Sequence, residues 1–408
     1  MANLIIYTRN NNLVVNMLHK QRKIVLARIV SKKKLIFVII LTFMKKIFFL
    51  VIFLNAVTVF SQTSAPKFSN EFLSIGVGAR ALGMSNAYVT TVNDVTSGYW
   101  NPAGLTQIKK DFQVSLMHAS YFAGIAKYDY GAFSAKIDTS SAFAFSVIRF
   151  GVDDIPNTTQ LIDADGNVDF DRISSFSVAD YAFMFSYARK SKIKGLRYGA
   201  NVKIIYRQVG DFAKAWGFGL DGGIQYDLKN WKFGLMARDV TSTFNAWSFS
   251  LDQETIDVFN ATGNEIPNNS TEITLPKVIL GIGREIKISN KFNFLGEIDF
   301  DLSTDGKRNV LITGDPISID PHMGVEVGYS KLIFLRLGVG NFQKVTDILQ
   351  NDKITYQPNF GIGIQFRGIA LDYAFSDIGD QSDALYSNIF SLKFDINKQK
   401  HTGVRRFD

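Results

Sequence analysis

The feature that most constrains this 408-residue chain is a two-residue alternation of side-chain character, held over runs far longer than an ordinary strand. Leu196, Tyr198, Ala200, Val202, Ile204 and Tyr206 form one set; Arg197, Gly199, Asn201, Lys203 and Arg207 form the other, with Ile205 the exception. The pattern resumes in Trp216, Phe218, Leu220, Ile224 and Tyr226, which alternate with Gly217, Gly219, Asp221, Gly223, Gln225 and Asp227. Successive side chains of a strand point to opposite faces, so period two means strand. Runs of about 11 residues match a tilted strand crossing a bilayer, whereas soluble strands average about 5 or 6. One hairpin alone suits either a soluble sheet, with its aromatic face on a core, or a membrane barrel, with that face on lipid and a polar lumen behind it.

The rest of the chain decides between them. About 14 such runs follow one another from Phe112 to Ile396. Tyr181, Phe183, Phe185 and Tyr187 alternate with Asp180, Ala182, Met184 and Ser186; Phe390, Leu392, Phe394 and Ile396 alternate with Ser391, Lys393 and Asp395. The connections sort by length. Gaps near 139–141, 190–195, 228–230, 287–290, 330–331 and 367–368 are short. Those at 152–175, 239–276, 303–322, 341–358 and 377–387 are long and fall in alternate positions, with 122–126 and 208–215 modest on the same side. An outer-membrane barrel requires short turns at one end, longer loops at the other and an even strand number. Closure also pairs every backbone group that lipid cannot satisfy. The expected fold is therefore an all-β membrane protein, a closed antiparallel barrel of about 14 strands. Pro156, Pro267, Pro276, Pro316, Pro321 and Pro358 are expected in connections, since a strand needs its N–H donors.

Ahead of the barrel, Met44-Lys45-Lys46, the apolar run Ile47–Leu54 and a small residue at Ser61 spell a signal peptide over 44–61. Residues 1–43 read as an over-extended leader, 62–110 as an N-terminal segment, 111–397 as the barrel and 398–408 as a tail. The formal charge of +8 belongs to the leader: residues 1–61 hold ten Lys or Arg and no acid, leaving 35 basic against 37 acidic residues beyond it. Nothing in that remainder argues for nucleic-acid binding. The chain has no Cys, which excludes disulfides and Cys-based zinc sites, and its four His make a His-rich metal site a poor expectation.

Residues 62–110 show no sustained alternation and are rich in Gly and Ala, which predicts short helices and turns folded into the barrel mouth. The run EFLSIGVGARALGMSNAYVT, then Asp94, then YWNPAGL resembles the PorV/PorQ family of Bacteroidetes outer-membrane proteins, itself related to FadL-type fatty-acid channels that share the Asn-Pro-Ala element. Ser85 departs from the Gly expected after Gly83-Met84, a small-for-small change. The resemblance implies a hatch whose motif residues are Gly78, Arg80, Gly83, Met84, Asp94, Trp100, Asn101, Pro102, Ala103 and Gly104. It also implies fourteen strands, an outer-membrane location and a non-enzymatic role in type IX secretion. Its implied partners are the translocon barrel, the sortase-like surface attachment machinery, secreted cargo with C-terminal signal domains, and membrane lipid. The alternative is a FadL-like channel for apolar small molecules. A channel predicts an apolar pocket near Asn101–Leu105; a scaffold predicts a bore blocked by the hatch and by charge pairs.

Other constellations are weaker. Asp163, Asp165, Asn167 and Asp169 have oxygen ligands at spacing two, but Gly166 is displaced from the EF-hand position and Ser174 stands where Glu is needed, so a solvated acidic turn is expected rather than calcium. Glu297, Asp299 and Asp301 share a strand face and could be misread as a glycosidase pair; lumen ion pairing with Arg197, Lys203, Arg207, Arg336 and Arg367 is the expectation. His118 and His322 belong to no motif, and no nucleophile elbow, phosphate loop or His-Glu-x-x-His is present. No enzyme activity and no cofactor are expected. Tyr206, Trp216, Tyr226, Trp231, Tyr329 and Tyr373 are candidates for interfacial girdles.

Overall fold

A computed structural model describes residues 69–161, 167–346, 351–376 and 387–397. The proposed leader, signal peptide and tail, and residues 162–166 of the acidic loop, lie outside the described residues. Four short helical turns, Glu71–Ser74, Ala79–Leu82, Ser97–Trp100 and Pro102–Gln107, precede the sheet. The strands are β1 (Phe112–Tyr121), β2 (Ala126–Lys136), β3 (Ser141–Asn157), β4 (Ser174–Lys190), β5 (Leu196–Val209), β6 (Ala213–Leu228), β7 (Trp231–Arg238) and β8 (Thr243–Phe249). Helix α1 (Gln253–Thr262) follows. Then come β9 (Ser270–Thr274), β10 (Lys277–Lys287), β11 (Phe292–Ser303), β12 (Ser318–Tyr329), β13 (Ile333–Thr346), β14 (Asp352–Phe366), β15 (Ile369–Ser376) and β16 (Ser387–Ile396).

The sixteen segments make fourteen staves. β7 and β8 run end to end along β6, with Gly222 opposite Ala237 and Phe218 opposite Phe244, and are parted only by the irregular stretch 239–242. β9 and β10 break in the same way at Leu275-Pro276. Every pairing is antiparallel, and β1 joins β16 with Leu116 opposite Leu392, so the sheet closes on itself. Backbone groups along the wall are satisfied by neighbours all the way round, the condition a bilayer imposes.

The faces fall as the alternation requires. Trp216 and Phe218 are 60% and 53% exposed, while Asp221 further along β6 and Lys203 opposite Gly219 on β5 are 5% and 3% exposed. Across the barrel, Leu335 and Leu337 are exposed and Arg336 is buried. An apolar surface of this extent, wrapped round a polar interior, is that of an all-β membrane protein.

Three expectations need correction. The strands outrun the sequence pattern at the loop end: β3, β12, β13 and β14 reach well into the predicted long loops. Past the membrane band both faces are wet, so the alternation fades while the ladder continues. Pro156, Pro321 and Pro358 consequently lie within β3, β12 and β14. Each sits where its strand is paired on one side only, since the β2–β3, β12–β13 and β14–β15 ladders stop at Val152, Met323 and Phe360. Proline is tolerated at such edge positions of a sheet. Finally, Arg367 makes no lumen ion pair among the described residues; it stands exposed in the turn between β14 and β15, at the rim of the cavity that opens at the turn end of the bore, stacked over Phe366 at 5.1 Å.

Candidate functional site

The bore is filled by residues 69–108. Val77, Leu82, Tyr99 and Trp100 pack against an apolar sector of the inner wall made by Met117, Tyr128, Ile148, Met184 and Ile205. Ile205, the exception in the alternation of β5, is inward and fully buried for this reason. The remaining wall is polar and grips the hatch by its backbone. Asp299 Oδ2 accepts from the Tyr88 and Val89 N–H groups at 2.8 and 2.9 Å. Glu297 accepts from the Thr90 N–H and the Thr91 hydroxyl. Asn201 donates to the Gly98 carbonyl at 2.7 Å, and Gln225 to those of Val89 and Val92, both at 3.1 Å. Orphan backbone groups of a segment too irregular to pair with itself are thus met by the wall.

The expected lumen ion pairing holds for the cations: Arg197 pairs with Asp227 at 2.7 Å, Lys203 with Asp221 and Asp239 at 2.8 and 2.6 Å, and Arg207 with Asp180 at 2.8 Å. Asp301 pairs with Lys277 at 3.3 Å. Glu297 and Asp299 differ, since their partners are hatch N–H and O–H groups rather than cations.

The motif residues of the hatch serve its seat. Arg80 forks onto both oxygens of Glu326 at 2.8 Å, and Arg336 bridges the same carboxylate to Asp372. Asp94 meets Lys393 at 2.8 Å. Trp100 donates its indole N–H to the Val77 carbonyl at 2.8 Å, and its ring stands edge-on to Tyr99. Asn101 caps the turn that begins at Pro102 by accepting from the Ala103 N–H at 3.2 Å, while its amide donates to Val89 and, across the wall, to Ile224, both at 3.1 Å. Proline at the first position of such a turn has a φ already suited to it. Gly78, at φ +86°, takes a backbone shape that L side chains resist.

Gly83, Met84, Ala103 and Gly104 are points of close approach. A Cβ on Gly83 would lie 2.9 Å from Gly361 Cα, and one on Gly104 2.4 Å from the Val92 carbonyl oxygen. The wall reciprocates: a Cβ on Gly338 would meet Met84 C at 2.3 Å, and one on Gly199 would meet Pro102 C at 2.8 Å. Inward glycines such as Gly199, Gly234, Gly324 and Gly338 are therefore the bed of the hatch, where backbone lies on backbone, whereas Gly217 and Gly219 face Asn245 and Thr243 of the wall. Asn101–Leu105 are fully buried and line none of the described cavities.

A second site lies at the loop end and was not read from the sequence. Phe176, Phe212, Trp247, Phe249, Leu251 and Phe259 line a cleft of about 510 Å³ roofed by α1. Phe176 and Phe212 meet edge-on at 5.3 Å. Glu272 is the charged residue of the lining; its partner Arg207, which also pairs with Asp180, stacks over Trp247 at 5.0 Å. Helix α1 is held at its start by Asp252, which accepts from the Thr255 N–H at 2.7 Å, and ends at Gly263, φ +70°. That N–H bond holds the Asp252 carboxyl below its usual range. The available signal was the aromatic run Trp247-x-Phe249-x-Leu251 ahead of a capped helix whose Ile256 and Phe259 share a face; the two sides of the cleft are some seventy positions apart in the chain.

No protein-family model and no curated sequence matches the chain. Among solved structures it is similar to the toluene transporter TbuX of Ralstonia pickettii, with 12% identity over 79% of this chain and 99% of that one and a TM-score of 0.49. It is similar to the monoaromatic hydrocarbon channel CymD, with 12% identity over 79% and 98% and a TM-score of 0.48. A Pseudomonas aeruginosa FadL homologue gives 11% identity over 78% and 98%, with a TM-score of 0.45. These identities carry no residue role across, and the PorV/PorQ assignment stays with the resemblance of residues 71–105.

Proposed function

We propose that this chain is an outer-membrane barrel that captures apolar small molecules at its loop end, with the hatch as the closure of its bore. The observation that carries the reading is the aromatic cleft. Its volume falls in the range of small-molecule sites, about 300–1,000 Å³, and its lining is mainly apolar, with polar residues at Asn157, Thr158, Thr159, Thr255 and Ser270 and one charged residue, Glu272, which pairs with Arg207. A single aromatic ring or the end of an acyl chain suits that lining. The chain performs no covalent chemistry in this scheme. The test is binding of toluene and of dodecanoate to the detergent-purified barrel, read by Trp247 fluorescence. Saturable quenching whose midpoint moves about tenfold higher in Phe212→Ala supports capture; unsaturable, mutation-insensitive quenching refutes it.

A second reading is favoured by a different observation. The hatch is tied to the wall on nearly every side and Asn101–Leu105 border no described cavity, the blocked bore expected of a scaffold. In that reading the barrel serves type IX secretion, docking cargo signal domains, the translocon barrel or the attachment machinery through its outer loops. Affinity isolation from detergent-solubilised outer membrane separates the two. Recovery with a translocon or a cargo signal domain supports the scaffold, and recovery alone with bound apolar ligand supports capture.

A further inference from the structure

The turn end of the barrel carries a set of cations with no carboxylate partner among the described residues. Lys109 stands where the hatch leaves the bore, and Lys194, Lys229, Lys291, Lys331 and Arg367 stand on five of the six tight connections. All six are exposed, and none forms an ion pair among the described residues. At the loop end Lys127, Arg149, Arg207, Lys277 and Arg308 each face a carboxylate, while Lys214 and Lys307 are exposed and in no ion pair among the described residues.

Two further observations bear on this set. Lys229, Lys331 and Arg367 sit at φ +57°, +58° and +48°, the left-handed region where Gly or Asn is the ordinary occupant of a tight hairpin turn. A long cation held in that conformation points to a use for its charge. Beside these cations, on the outer face, stand exposed aromatic residues: Trp231 next to Lys229, Phe292 next to Lys291, Tyr329 next to Lys331 and Phe366 next to Arg367. Such residues mark the height at which hydrocarbon gives way to headgroups.

We infer that this set seats the phosphates of anionic phospholipids of the phosphatidylglycerol class in the leaflet at the turn end. The cations are spread round most of the circumference, on five of the six turns and at Lys109 ahead of β1; the β2–β3 turn carries Asp138 instead. A soluble partner docking from one side would meet two or three of them; an annulus of headgroups meets them all. Basic residues next to an anionic leaflet are attracted within a Debye length of its surface. The inference rests on the membrane placement of the barrel and is independent of the cleft.

The test uses the purified barrel titrated with short-chain phosphatidylglycerol or phosphatidylcholine, with bound lipid counted by native mass spectrometry. The wild type retains phosphatidylglycerol in preference to phosphatidylcholine. Lys229→Asn and Lys331→Asn remove charge while suiting the turn better, so loss of lipid in them is not loss of fold. Each lowers phosphatidylglycerol retention roughly fivefold, and the preference collapses in 1 M salt, where the Debye length is about 3 Å. Lys214→Gln and Lys307→Gln at the loop end leave it unchanged. The inference is overturned if both turn variants keep the wild-type preference, or if the loop-end variants lose it equally. Failure of the membrane placement shows itself separately, as failure to insert into vesicles of either lipid.

Discussion

Truncating Asp299 is the sharpest probe of how the bore is closed. Its carboxylate, 1% exposed, accepts the Tyr88 and Val89 N–H groups. Asp299→Ala leaves two buried donors without acceptors, at about 1–3 kcal/mol each, so the gross loss is roughly 2–6 kcal/mol. Against this, no cation pairs with Asp299 among the described residues, and removing an unpaired buried charge returns part of its desolvation cost. The expected net loss is therefore about 2–4 kcal/mol, taken from the seating of the hatch rather than from the barrel ladder. The chain has no Cys, so a single Val92→Cys substitution at a fully buried hatch position gives a clean reporter. In the Asp299→Ala background its thiol labelling should accelerate about 30-fold to about 700-fold, using a tenfold change per 1.4 kcal/mol. Asp299→Asn keeps an acceptor and should fall between. An acceleration under twofold refutes the reasoning. So does labelling that rises only in step with global unfolding, because the hatch would then have no separate equilibrium.

The remaining predictions concern the seat and the cleft. Gly338→Ala forces a methyl group against Met84 and Ser85 and should destabilise the barrel by about 1–3 kcal/mol; Gly222→Ala, where a Cβ meets nothing within 4 Å, should be neutral or stabilising, with thermal unfolding as the measure. Arg80→Gln breaks a two-pronged contact with Glu326, but Arg336 still neutralises that carboxylate, so about 1.5–3 kcal/mol is expected from the lost charged hydrogen bonds, read by hydrogen exchange of residues 79–92. Phe212→Ala and Phe259→Ala should each weaken binding of dodecanoate or toluene at the cleft about tenfold, corresponding to about 1.5 kcal/mol of lost apolar burial. The cap of α1 sets a pH limit. The folded Asp252 carboxyl lies below its unfolded value of about 3.9, held there by the Thr255 N–H. Its contribution is thus complete above that value and is lost as pH falls through the folded one. Helix protection at Thr255–Phe259 should persist at neutral pH and disappear in strong acid, while in Asp252→Ala it should be reduced at every pH.

Much of this architecture is written locally. The faces of β5 and β6, the fourteen staves, the sorting of short turns from long loops and the irregular hatch were all legible, because period two and turn chemistry depend only on near neighbours in the chain. The alternation also assigned Glu297 and Asp299 to the bore correctly. It did not say what they hold there, since their partners are backbone groups some two hundred positions away, and a backbone donor leaves no mark in a sequence. Ion pairing was the natural expectation for inward carboxylates, and Asp301 meets it through Lys277.

What the sequence by itself determined is the wall: which side chains face outward, how many times the chain crosses and at which end it turns. Its glycines stood in plain view as half of an alternating face, yet only closure of the sheet shows that Gly199 and Gly338 make room for the hatch backbone and Gly223 for the Asn101 side chain and the Pro102 ring. Only the tertiary structure decides how far the strands run beyond the apolar band, where Arg367 points, and that Phe176, Phe212, Trp247 and Phe259 share one cleft. The physical reason is the same in each case: side-chain orientation along a strand is fixed by the pleat, whereas contact between distant segments is fixed by how the sheet closes and what fills it.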